Sequence, residues 1–146
     1  MAEGYLERGF FRPTLPRMHR VADLMAGDLL TVEADTRLTE AVSNMNDRRV
    51  GAALVLDDGH LVGVFTERDV LRAVAQGLVP EAVVGEWMTH GPETIEPDDT
   101  AEHAAVLMIH GGFRHLPVVD TGKVVGILSI RDLMRSVLDD AAPRGV

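Results

Sequence analysis

The chain has 146 residues, 46% of them hydrophobic and none of them cysteine, which suits one compact domain and excludes disulfide or thiolate chemistry. Fourteen Lys and Arg against 23 Asp and Glu leave a formal charge of -9, which repels a polyanion over most of the surface and argues against nucleic acid as a partner. No run approaches the roughly 20 apolar residues that span a bilayer, and the start, Met1-Ala-Glu-Gly-Tyr-Leu-Glu-Arg8, carries no charged segment followed by an apolar one, so neither membrane insertion nor an export signal is expected.

Residues 1–20 read as an N-terminal arm, with Phe10, Phe11, Pro13 and Pro16 among several arginines. Its aromatics either pack on the body or a neighbouring subunit, or sit in a disordered tail. Repeat 1 covers 21–76. A short helical lead, Val21 to Met25, precedes a strand at Leu29 to Val32. Asp35 or Thr36 is then placed to cap a helix whose Leu38, Ala41, Val42 and Met45 form one buried stripe. Ala52 to Leu56 and Leu61 to Phe65 flank Asp57-Asp58-Gly59-His60, the pattern of a hairpin. A last helix runs from about Glu67 to Ala75. Gly77 and Pro80 punctuate a short joint, 77–83.

Repeat 2, 84–138, says nearly the same again, before a C-terminus at 139–146 that reads as frayed. The lead is Val84 to Met88 and the first strand Glu93-Thr94-Ile95. Asp98 or Asp99 is placed to cap a helix carrying Ala101, Ala104, Ala105 and Met108. The hairpin is Leu116 to Val119 with Val124 to Leu128, and the last helix runs from about Ile130 to Leu138. Val21–Val74 lies over Val84–Val137 without a gap at a constant offset of 63, identical at about 30% of positions, which is a repeat architecture. The expected class is α+β: two β-α-β-β-α units packed sheet to sheet about a pseudo-twofold axis, since a unit this small buries too little of its sheet face alone.

Each hairpin runs through Gly63 or Gly126 into Thr66-Glu-Arg68-Asp69 or Ser129-Ile-Arg131-Asp132, which open a helix. Ser/Thr-x-x-Asp reads as a capping box. The same residues at a helix N-terminus also suit an anion and a ribose diol. Both readings stay open on spacing alone.

Both units end in Gly-h-h-Ser/Thr-x-Arg-Asp, and the second carries Phe113-Arg114-His115-Leu116-Pro117-Val118-Val119-Asp120. On these motifs Val21 to Val137, about 80% of the chain, resembles a pair of cystathionine beta-synthase (CBS) domains, the Bateman module. The resemblance implies a module that binds AMP, ADP, ATP or S-adenosylmethionine in clefts between the units, pairs into disk-like dimers and regulates a partner protein, here in trans. It implies that Asp69 and Asp132 take ribose hydroxyls, with Thr66 and Ser129 beside ribose or phosphate. Thr31, Val32, Thr94 and Ile95 then flank the adenine. Gly51, Ala52 and Ala53, with Arg114, His115 and Leu116, supply backbone and basic contacts before the hairpins, next to Pro117.

Arg68 and Arg131 fall in the same motif; with Arg72 and Arg135 four residues on, they form either a phosphate clamp or a solvated face. The copies differ where it counts. Arg114 and His115 stand opposite Gly51 and Ala52, the first copy's arginines being displaced to Arg48 and Arg49, so the clefts are expected to be unequal and the one using Arg114 and His115 is the favoured site.

Met25, Met88, Met45 and Met108 read as core, and Trp87 as packing. The histidines lack metal-ligand spacing and no nucleophile is paired with a base, so no metal, no catalysis and no resident cofactor is expected, only an adenosine nucleotide as regulatory ligand. The absence of cysteine fits a reducing, cytoplasmic setting. The competing function is a ligand-free dimerisation or interaction scaffold in which the acids merely cap helices.

Overall fold

The computed structural model describes residues 19–141, with side chains through 139. Residues 1–18 of the expected arm and 142–146 of the expected frayed end lie outside the described residues. The first repeat comprises α1 (Val21–Leu24), β1 (Thr31–Glu33), α2 (Leu38–Arg48), β2 (Ala52–Asp57), β3 (His60–Thr66) and α3 (Glu67–Ala75). The second comprises α4 (Val84–Trp87), β4 (Thr89–His90), α5 (Ala101–Gly111), β5 (His115–Asp120), β6 (Lys123–Ser129) and α6 (Ile130–Ala141). One sheet has the order β1-β2-β3-β4 and the other pairs β5 with β6. Among the described residues no helix is long and apolar enough to cross a membrane.

The offset of 63 governs the ladders as well as the residues. Ala52 lies opposite Thr66 and His115 opposite Ser129, and each hairpin slips by one residue at the matched place, after Val55 and after Val118. Asp58 and Gly59 (φ 49 and 78) and Thr121 and Gly122 (φ 48 and 80) form the tight turns, with positive φ at both central positions, as the twist of a two-residue hairpin requires. β2 is buried on both faces. Ala53 and Val55 point to the helices, whereas Ala52 and Leu54 meet Val64, Val124 and Ile127 where the two sheets pack, which explains its continuous apolar run.

Two expectations are corrected. The helix caps fall later than Asp35, Thr36, Asp98 or Asp99: α2 is preceded by Arg37, without a side-chain cap, and α5 by Thr100, which accepts from the His103 amide at 3.2 Å. Thr36 and Asp99 instead accept from the Glu33 and Glu96 amides at 3.0 and 2.9 Å and so close the preceding turn. The first strand of the second repeat shrinks to one bridge, Ile95 beside Val118. Pro117 stands where Leu54 donates to the Leu30 carbonyl at 2.9 Å, and proline has no amide hydrogen to repeat that bond.

The leads do not pack on their own repeats. Val21 and Ala22 donate to the Asp99 and Pro97 carbonyls of repeat 2 at 2.8 and 2.9 Å, while Val84 and Gly85 donate to Thr36 and Ala34 of repeat 1 at 2.9 and 2.8 Å. Buried Val84 and Met88 accordingly complete the core around Leu38, Val55 and Phe65, and buried Val21 completes the one around Ile95, Leu116 and Leu128. β4 pairs with β3, and Ala26 bridges Ile127 in the same way. Each repeat is finished by the other's lead.

Glycine makes this exchange possible. A Cβ on Gly63 would stand 2.4 Å from Met88 Sδ and 2.9 Å from the Thr89 carbonyl, and one on Gly126 would stand 2.5 Å from Met25 Sδ. Gly63→Ala is therefore expected to destabilise the fold by about 1–3 kcal/mol through overpacking, read as a lower denaturation midpoint. An unchanged midpoint would show that the lead does not depend on this close approach.

Candidate functional site

The site begins where β3 turns into α3. Thr66 holds an extended backbone, and both its amide and its hydroxyl donate to Asp69 Oδ2, at 2.9 and 3.2 Å. Arg72 donates to Asp69 Oδ1 at 3.1 Å, and its guanidinium lies 5.9 Å from the centroid of the Trp87 ring. Asp69 is only 4% exposed, so its charge rests on these donors. Trp87 belongs to α4 and Arg72 to α3, so the exchanged lead also steadies the site.

The facing wall comes from repeat 2. Gly112 ends α5 in a left-handed conformation (φ 71), and the chain then passes through Phe113 and Arg114 into His115 at the start of β5. These residues, the 89–93 segment and the start of α3 enclose a hollow of about 880 Å³. Arg68, Arg72 and Arg114 line it together with Glu67, Asp69 and Glu93, so the hollow carries balanced charge on a strongly acidic chain. Gly51 keeps its floor open, since a Cβ there would stand 3.0 Å from Glu67 Oε1 and 3.5 Å from His115 Cε1.

Of the residues singled out in the sequence, Gly51, Thr66, Arg68, Asp69, Arg114 and His115 meet in this hollow. Val32, Ala52, Ala53, Ile95, Leu116 and Pro117 are buried, most of them in the apolar cores, and Thr31 on β1 and Thr94 beside the Ile95 bridge are exposed. Glu67, Phe113, Gly111 and Gly112 are lining residues that the sequence did not announce, because a glutamate in a first helical turn and a glycine at a helix end both have ordinary local roles. Arg72, read from spacing as part of either a phosphate clamp or a solvated face, lines the hollow as well.

Ser129 and Asp132 form the matching box in repeat 2. The Ser129 amide and hydroxyl donate to Asp132 Oδ2 at 2.8 and 2.9 Å, and the Asp132 amide donates back to Ser129 Oγ at 3.2 Å. Asp132 does not share the large hollow with Asp69. It borders a smaller one of about 340 Å³ between α1 and α6, with Asp23, Leu24, Arg135 and Ser136. Leu24 replaces Trp87 there, and it offers a cation no aromatic face.

The CBS domain model matches this chain twice, at residues 21–76 and 84–139. The chain is 32% identical, over 82% of its length and 74% of the relative's, to an uncharacterized 17.7 kDa protein of Acidianus ambivalens. It spans 44% of a longer uncharacterized relative, MJ1225 of Methanocaldococcus jannaschii, at 30% identity over 84% of this chain. Among solved structures it is similar to a putative signal-transduction protein with CBS domains from Burkholderia ambifaria, with a TM-score of 0.81 and 32% identity over 88% of this chain and 100% of that one. It is likewise similar to the CBS domain protein PAE2072 from Pyrobaculum aerophilum complexed with AMP, with a TM-score of 0.75 and 31% identity over 84% and 98%. The CBS domain pair of protein MJ0100, in complex with 5′-methylthioadenosine and S-adenosyl-L-methionine, gives a TM-score of 0.78 and 26% identity over 86% and 99%.

Burial pushes the His115 pKa below its ordinary 6.5, Arg114 adding to the effect while Glu67 and Asp132 oppose it. The unfolded chain therefore takes up a proton here before the folded one does. The contribution is constant above about pH 6.5 and is lost as pH falls below that value. On lowering the pH from about 7.5 to about 5, His115→Gln is expected to lose less of its melting temperature than the unsubstituted protein. Equal losses would show that the imidazole is no more desolvated in the fold than in the unfolded chain.

Proposed function

The chain belongs to the CBS domain family, and on that premise we propose that it is a regulatory module that binds an adenosine-containing ligand in the hollow between its repeats and signals to a separate protein in trans. AMP, ADP, ATP and S-adenosylmethionine share the parts the site addresses: a flat base, a ribose diol and a charged tail. What carries the reading is the convergence of Thr66 and Asp69 from one repeat with Arg114 and His115 from the other around about 880 Å³, a volume typical of small-molecule sites. Neighbours of the same fold complexed with AMP, or with 5′-methylthioadenosine and S-adenosyl-L-methionine, support the ligand class.

The chemistry follows from the hydrogen-bond count. An ionised carboxylate accepts about four hydrogen bonds, and Asp69 already accepts from the Thr66 amide, the Thr66 hydroxyl and Arg72. Gripping both ribose hydroxyls requires Arg72 to yield Oδ1. Trp87 keeps the released guanidinium at the mouth, where Arg68 and Arg114 also face the charged tail. Because the walls belong to different repeats, the ligand favours one arrangement of the repeats over another, and that difference in affinity is the signal.

The repeat-matched residues Leu71 and Met134, and Val74 and Val137, stand exposed on α3 and α6, and two chains pair through these faces. A second reading, a dimeric scaffold without ligand, draws on the same faces and on the capping role that Asp69 already fills at Thr66.

Free AMP at a hundredfold over its dissociation constant stabilises a one-site protein by about 2.7 kcal/mol, so a clear rise in melting temperature is expected. If AMP, ADP, ATP and S-adenosylmethionine all leave it unchanged, the scaffold reading stands. Asp69→Asn keeps an oxygen for the cap but loses the charge, and it is expected to weaken AMP binding roughly 10- to 100-fold, the worth of about 1.5–3 kcal/mol for bonds to a charged acceptor. Leu71→Glu combined with Met134→Glu is expected to reduce the solution mass to that of a single chain. A retained dimer would move the interface elsewhere.

A further inference from the structure

We propose that Arg48 and Asp28 clasp the second, pseudo-symmetric crevice shut, so that the chain accepts one ligand rather than two. The offset of 63 that relates the ladders also relates the crevice walls. Gly91, Pro92 and Gly111 line the open hollow, and their counterparts in the first repeat are Asp28, Leu29 and Arg48. Arg48 Nη2 lies 2.7 Å from Asp28 Oδ1, and Arg48 Nη1 donates to the Leu29 carbonyl at 3.3 Å. One side chain thus ties together two walls that glycine leaves apart in the other crevice.

The exchange of residues is concerted. In the open crevice a Cβ on Gly111 would stand 1.9 Å from the Phe113 ring, so no side chain can grow there. In the first repeat the smaller Val50 replaces Phe113, and Arg48 stands at the position of Gly111. Arg49, next along, holds the left-handed conformation (φ 54) that Gly112 holds in the other repeat, a backbone that favours glycine. Asp28 is 94% exposed at the rim and Arg48 34%; an ion pair so open to solvent adds little by itself, so the obstruction is the Arg48 side chain, which the pair and the Leu29 carbonyl hold across the crevice.

The inference rests on the binding reading above, and calorimetric titration with AMP separates the two. The unsubstituted protein is expected to take one AMP per chain. Asp28→Gly with Arg48→Gly, which restores the residues of the open crevice, is expected to take two. Asp28→Ala with Arg48→Ala serves the same purpose should the glycine pair fail to fold, with the melting temperature reporting integrity. Two AMP on the unsubstituted chain, or one on either folded variant, overturns the clasp while leaving the binding reading intact. No binding of AMP, ADP, ATP or S-adenosylmethionine by the unsubstituted chain overturns both.

Discussion

The structure depends on an exchange of leads between its two repeats. Met88 lies on Gly63 and Met25 faces Gly126, at distances that leave no room for a β-carbon, and the amides of Val21 and Val84 are satisfied by carbonyls of the opposite repeat. Neither core is complete without a segment from the other half. A module built in this way cannot separate its halves cheaply, because parting them strips apolar residues from both cores and leaves buried backbone groups unpaired. The crevices lie at the junction that this exchange holds together. Trp87, delivered by the exchanged α4, sits under Arg72, so the same constraint that closes the core also sets the cation at the mouth of the hollow.

On this symmetric frame a few substitutions make two unequal crevices. Gly51 faces the hollow where Arg114 stands in the other copy, Trp87 is exchanged for Leu24, and Phe113 with Gly111 is exchanged for Val50 with Arg48. Each change is local, yet all act in one direction. Small residues and an aromatic shelf open one crevice, while a charged side chain crosses the other.

Much of this was legible in the sequence, for a physical reason. An offset kept without a gap forces matched residues into matched environments, so the hairpins, their tight turns and the paired boxes at Thr66 and Ser129 all fall where the repeat puts them. The caps did not, because Thr36 and Asp99 can satisfy an amide of the preceding turn as readily as one of the following helix, and only the three-dimensional path decides. The exchange was also hidden. The apolar residues of Val21 to Met25 show that a face is buried without showing against which repeat. Gly63 and Gly126, inside otherwise apolar strands, were the available signal, since a glycine in a strand often marks another backbone approaching closely. The split between crevices was legible only in part: Arg114 and His115 stood out against Gly51 and Ala52, but which wall each side chain joins depends on how the repeats pack.

The most direct test of the central claim, that the ligand lies between Thr66–Asp69 of one repeat and Arg114–His115 of the other, is a residue-resolved amide NMR titration with AMP. The account predicts that the largest shifts gather at Gly51, Thr66, Asp69, Gly112 and Arg114, with residues near Asp28, Arg48 and Ser129 little changed. Shifts centred on Ser129 and Arg48, or confined to a single repeat, would contradict it.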